Sequence, residues 1–180
     1  MTFDDTFVVG IHCSCLGAIV TSTDLKTAIP LLMYNIQLNR TIIEINCSGQ
    51  LPVAQALEWG NEEHLNDVSL PFDLIVGSDI SYDPQCFDPL ISTLIGVTND
   101  STLCFFSHEY RKFNEGHEFS IERNWIFFEK LCLAGFEVTV VRTSNPNGVY
   151  AAPELGDMVV IKACRNVELI GCPIVKHIDI

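Results

Sequence analysis

The sequence predicts an α/β fold: an open, largely parallel sheet with helices on both faces, closed at its C-terminal end by two antiparallel strands. Three observations carry this expectation. Short β-rich runs alternate with segments of helical spacing along most of the chain. The run Phe72–Ser78 is apolar and leads through Gly77 to Asp79, the pattern of a buried parallel strand with polar residues at its carboxyl end. The last two β-rich runs, Phe136–Arg142 and Asp157–Cys164, are joined only by the loop Asn145–Gly156, which makes them an antiparallel pair.

Taken in order, Ile11–Leu16 is short and apolar, and Gly17 offers a helix stop. Ala18–Thr23 is β-rich and ends at Asp24. In Leu25–Arg40, residues Ala28, Leu31, Leu32, Ile36 and Leu38 approximate helical spacing. Thr41–Cys47 is β-branched and strand-like. Ser48–Asn66 is polar and irregular apart from a short strand within Val53–Trp59. Cys86–Val97 reads as a helix with Pro89 in its first turn, where proline is tolerated. Leu103–Ser107 is a strand, Glu122–Ala134 an amphipathic helix, and Gly135 stands where a C-terminal cap belongs.

At 180 residues the chain is expected to form a single domain spanning 1–180. A formal net charge of -13, from 10 basic and 23 acidic residues, repels nucleic-acid backbones and suits a basic region of a protein partner. The 8 cysteines form no C-x-x-C pair, and no H-x-x-x-H partner follows, so neither a metal site nor a disulfide framework is expected. Scattered cysteines inside apolar runs point to reduced thiols and a cytoplasmic or nuclear compartment. No apolar stretch reaches transmembrane length, so no membrane partner is expected.

Four pieces then carry a family resemblance: Leu16-Gly-Ala-Ile-Val-Thr-Ser-Thr-Asp24, Leu57-Glu-Trp-Gly60, Phe72-Asp-Leu-Ile-Val-Gly-Ser-Asp-Ile-Ser-Tyr82 and Phe106-Ser-His-Glu-Tyr-Arg111. In this order they resemble the seven-strand protein-lysine methyltransferases, methyltransferase family 16, over about Gly10 to Cys164. The resemblance implies a Rossmann-like class I methyltransferase sheet with a family-like core at residues 6–165 and an extension at 166–180. It implies S-adenosyl-L-methionine as cofactor and a protein lysine side chain as methyl acceptor.

What the resemblance implies for the site is specific. Asp24 would accept hydrogen bonds from ribose hydroxyls, or else cap the following helix. Trp59 would face the adenine, or else pack in the core, and Gly60 and Ser78 would help to form the cofactor site. Asp79 would touch cofactor and orient the acceptor amine, while Tyr82 shapes the acceptor channel; the plainer alternative is a turn-capping Asp beside a half-buried Tyr. His108 and Glu109 would line the acceptor entrance or lie in a solvated loop, and Arg111 would pair with an acid. His117-Glu118 repeats the His-Glu pair, but neither copy forms H-E-x-x-H.

The front of the chain departs from the family pattern. A first strand, a glycine-rich turn and the start of a helix should precede Gly10-Ile-His-Cys-Ser-Cys-Leu-Gly17, yet Met1–Val9 holds no glycine. The first strand and its turn are therefore expected to be missing or degenerate. Three readings stay open: a shortened form of an active enzyme, Thr6–Ile11 serving as the central strand at the expense of the first helix, or a relative that has lost cofactor binding. The rival function is a catalytically inactive binding module that keeps the fold and acts through a protein partner.

Overall fold

The computed structural model describes residues 2–3, 8–46, 50–68, 70–109, 122–143, 158–171 and 175–177. Its strands are β1 (Thr2–Phe3), β2 (Thr21–Asp24), β3 (Val53–Ala56), β4 (Leu74–Ser78), β5 (Leu103–Glu109), β6 (Phe136–Thr143), β7 (Met158–Arg165) and β8 (Val175–His177). Its helices are α1 (Val8–Cys15), α2 (Ile29–Leu38), α3 (Arg40–Asn46), α4 (Glu62–Asn66), α5 (Phe87–Val97) and α6 (Glu122–Leu133).

All eight strands join one sheet in the order β3-β2-β1-β4-β5-β7-β6-β8. The pairs from β3 to β5 are parallel, whereas β7 runs antiparallel to both β5 and β6. The strand order reverses beside β1, which is the topological switch point where open α/β sheets bind ligands. The antiparallel ending expected from the sequence is present. Beyond it, the extension at 166–180 supplies β8, which adds a parallel edge strand to β6.

The centre of the sheet is its least expected part. Among the described residues, Thr2 and Phe3 fill it: Thr2 pairs with Ser22 and Val76, and Phe3 with Thr23 and Gly77. The first strand is thus present, with Thr2 and Phe3 as its described residues. Thr6–Ile11 does not serve as the central strand, because Val8 already begins α1. Four residues, 4–7, separate β1 from α1 and lie outside the described residues. Helix α1 ends as the sequence indicated: Gly17 adopts φ 92°, and Ala18 N donates to Cys13 O at 3.0 Å.

Two other expectations fail. The run starting at Thr41 is helix α3, not a strand, and continues almost directly from α2. Its β-branched residues favour strands only weakly. Burial of Ile43 on α3, which packs against α1, outweighs that preference. Within the stretch read as irregular, Asn61 caps α4: its side-chain oxygen accepts from Glu63 N at 3.0 Å and His64 N at 3.2 Å.

The main core lies where β4–β7 meet α5 and α6. Phe87, Phe106, Phe127 and Phe128 are fully buried there, with the Phe87 and Phe127 rings 5.4 Å apart and Phe127 and Phe128 5.2 Å apart. A smaller cluster gathers Leu32 and Ile36 of α2 with Ile11 and Ala54.

Burial, and secondarily the neighbouring Cys164, pushes the Cys104 thiol in this core up to about 12 from its ordinary 9.0. Since the folded value is raised, the neutral thiol stabilises the fold fully below about pH 9, and this contribution is lost as pH rises towards 12. Relative to Cys104→Val, the native chain should therefore lose up to about 1.4 kcal/mol per pH unit above pH 9 in urea unfolding. Parallel curves for the two chains would count against this.

Candidate active site

The carboxyl ends of β2, β3 and β4 open on a crevice of about 360 Å³. Each wall follows from a strand that stops and a turn that is held. Asp24 closes β2, and its side-chain Oδ1 accepts from Leu25 N at 2.6 Å. Helix α2 starts four residues after Leu25, its N-cap Ala28 makes no side-chain cap bond, and so Asp24 does not cap that helix. The Asp24 backbone oxygen instead accepts from Leu57 N at 2.8 Å, which fixes the segment leaving β3 beside the acid.

That segment, Leu57–Trp59, forms the second wall. Trp59 is half-buried: it lines the crevice and packs on the main core. Gly60 turns the chain with φ 79°, a conformation that glycine adopts at little cost. Its backbone N donates to Thr93 Oγ1 at 2.8 Å, and a Cβ there would sit 3.2 Å from Pro89 Cβ. Gly60 therefore acts behind the wall, seating Trp59 against α5, and contributes no lining itself.

The third wall follows β4. Asp79 lines the crevice in the left-handed region, φ 54°, the one non-glycine residue with positive φ among the described residues. Its backbone N donates to Ser107 O at 3.0 Å, so β5 holds the turn, and its Oδ1 atom is buried. The next residues include buried Ile80 and Ser81, then Tyr82, which is 46% exposed on the crevice rim. Ser78 is not part of the lining; its hydroxyl accepts from Ser107 Oγ at 3.2 Å between β4 and β5.

His108 corrects another expectation. It neither lines an entrance nor lies in a loop: it is 2% exposed within β5, its Nδ1 lies 2.8 Å from Ser81 Oγ, and its ring packs edge-on against Phe128. It braces the Asp79–Tyr82 turn from behind. Glu109 ends the same strand, while Arg111 and His117-Glu118 lie outside the described residues.

The structure thus gathers Asp24, Trp59, Asp79 and Tyr82 into one crevice and leaves Gly60 and Ser78 as supports. Sequence reasoning missed Thr23, Glu58, Cys86 and Pro89, which complete much of the lining. Cys86 and Pro89 were read only as a helix start, although the helix after a strand in this architecture begins at the ligand crevice. Burial, and then the Asp83 carboxylate, raises the Cys86 thiol above its ordinary value, so it stays neutral near pH 7.

The model of the lysine methyltransferase family matches residues 6–131. The chain belongs to the lysine methyltransferase family. It is 33% identical over 109 residues to EEF1A lysine methyltransferase 3 of Xenopus tropicalis, covering 59% of this chain and 44% of that protein. It is 36% identical over 114 residues to protein N-lysine methyltransferase METTL21A of Mus musculus, covering 59% of this chain and 46% of that protein. The aligned part thus spans less than half the length of these curated relatives.

Solved structures agree on the fold. The glycopeptide N-methyltransferase MtfA with S-adenosyl-L-homocysteine aligns with TM-score 0.60 at 11% identity, over 91% of this chain and 81% of that one. A TehB-like methyltransferase from Corynebacterium glutamicum aligns with TM-score 0.54 at 15% identity, over 92% and 78%. The sheet described above is therefore the class I methyltransferase fold.

The left-handed conformation of Asp79 costs about 1–2 kcal/mol for most side chains, and less for Asp, Asn and Gly. Asp79→Gly should therefore be about 1 kcal/mol more stable than Asp79→Ala in urea unfolding. Equal stability of the two variants would contradict the backbone geometry at this position.

Proposed function

We propose that this chain binds S-adenosyl-L-methionine in the crevice and transfers its methyl group to a lysine side chain of a protein. The observation that carries this reading is the placement of two carboxylates, Asp24 and Asp79, at the ends of the strands flanking β1, in one crevice that Trp59 also lines. The residues fit the nucleoside half of the cofactor: an acid at the end of β2 for vicinal hydroxyls, an indole for a flat base, and a volume within the range of small-molecule sites. When bound, the cofactor supplies an electrophilic methyl group on a positively charged sulfonium.

The chain's own residues have separate tasks. The Asp24 carboxylate accepts the ribose hydroxyls, and Trp59 covers one side of the adenine. Asp79, held rigid by Ser107, places a carboxylate at the acceptor side and aligns the amine through a charge-assisted hydrogen bond. Tyr82 on the rim walls the lysine stem. A lysine, with an ordinary pKa of about 10.4, attacks only as the neutral amine, and its desolvation beside Ile80 and Tyr82 lowers that value.

The substrate class follows from charge. A net charge of -13 favours a protein with a basic region around the target lysine over nucleic acid. The six described cysteines are all free thiols, which supports a reducing compartment, the cytoplasm or nucleus. No helix among the described residues is long and apolar enough to cross a membrane. We take the chain as one methyltransferase domain, with residues 166–180 as an added edge. The rival, an inactive binding module, draws support from the absence of glycine between β1 and α1.

Asp24→Ala should raise the dissociation constant of S-adenosyl-L-methionine about 10- to 100-fold, the loss of one or two hydrogen bonds involving a charged group. Asp79→Asn should keep cofactor affinity within about threefold yet reduce incorporation of labelled methyl into a lysine-bearing protein at least about 100-fold. Full transfer by Asp79→Asn would remove Asp79 from the reaction.

A further inference from the structure

The segment Leu57–Gly60 carries Trp59 into the crevice, yet it belongs to no helix or strand. Its backbone amides are instead held one by one from different elements. Leu57 N donates to Asp24 O at the end of β2 at 2.8 Å, and Glu58 N donates to His64 Nδ1 on α4 at 3.1 Å. Gly60 N donates to Thr93 Oγ1 on α5 at 2.8 Å. Trp59 thus stands between two clamped neighbours. A wall without a ladder of its own keeps its geometry through such bonds, and losing one loosens the indole that it carries.

One clamp differs in kind from the others. A carbonyl or a hydroxyl oxygen accepts whatever the pH, but an imidazole nitrogen accepts only while it bears no proton. A backbone N–H can only donate, so His64 has to present the lone pair of Nδ1, and the neutral ring does so with its proton on Nε2. An imidazolium carries a proton on both nitrogens and has no acceptor left. Protonation would set two N–H groups against each other and break the bond. Histidine is the side chain whose charge ordinarily changes between about pH 5 and 8.

We propose that His64 is a positioning residue for the cofactor: as a neutral acceptor it fixes the Glu58–Trp59 wall, and on gaining a proton it releases that wall and weakens binding. The role rests on the crevice being the S-adenosyl-L-methionine site. Helix α4 delivers the ring from an anchored turn. Asn61 Oδ1 accepts from His64 N at 3.2 Å, Asn61 Nδ2 donates to Glu58 Oε2 at 3.4 Å, and Leu65 packs at Gly96 of α5. The charged side chains here are Glu62 and Glu63 of α4, Glu58 of the wall and Asp67 just beyond the helix. Helix α5 adds Asp88, paired with Lys130 at 2.6 Å, and β3, which meets the end of α4 through Gln55 Nε2 donating to Asp67 O, adds none.

Calorimetric titration with S-adenosyl-L-homocysteine at about pH 7.5 and about pH 5.5 tests this, on the native chain and on two variants checked for native circular dichroism. The native chain should bind about 3- to 10-fold more weakly at the lower pH, the loss of one hydrogen bond. His64→Asn offers an amide oxygen as the acceptor and has no proton to gain. It should therefore bind like the native chain at the higher pH and change by no more than about twofold at the lower. His64→Leu, without an acceptor, should bind weakly at both. Native affinity that ignores pH, a fall in His64→Asn equal to the native one, or His64→Leu binding as tightly as the native chain overturns the proposal. A native chain that fails to bind even at the higher pH overturns the cofactor reading itself, and this role with it, so the two failures are told apart there.

Discussion

Everything in the candidate site depends on the ladder that β1 makes at the centre of the sheet. Thr2 and Phe3 hydrogen-bond to β2 on one side and to β4 on the other, and so hold those strands two strand-spacings apart. That distance separates Asp24 from Asp79 and leaves room for a ligand between their carboxylates. The register also matters. Phe3 sits level with Thr23 and Gly77, next to the strand ends, so β1 supports the sheet at the crevice.

The walls are then fixed by bonds that reach across elements rather than along them. The Asp24 carbonyl holds Leu57, and Thr93 of α5 holds Gly60. The Ser107 carbonyl holds Asp79, and His108 of β5 meets Ser81. Each contact ties a loop of the crevice to a strand or helix anchored in the core, with the Phe87–Phe106–Phe127–Phe128 cluster beneath. Pre-organisation of this kind matters for methyl transfer, where the acceptor must be aligned with a leaving group and little other chemistry is needed.

Much of this was legible in the residues because the signals were local. The run before Asp79 read as a buried strand, and the loop-joined last strands read as an antiparallel end. Other features hid because they are tertiary. The helical state of α3 depends on where Ile43 is buried, which its β-branched neighbours do not disclose. The burial of His108 depends on β7 lying opposite it, paired at Val159. Gly60 and Ser78 carry the right motif positions, yet one packs on Pro89 and the other bonds to Ser107.

The central claim is that the crevice beside β1 binds the cofactor. Calorimetric titration of the purified 180-residue chain with S-adenosyl-L-homocysteine tests it most directly. The account predicts saturable one-to-one binding with a dissociation constant in the micromolar range. A chain that is folded by circular dichroism yet shows no binding at millimolar ligand would contradict it and favour the inactive module.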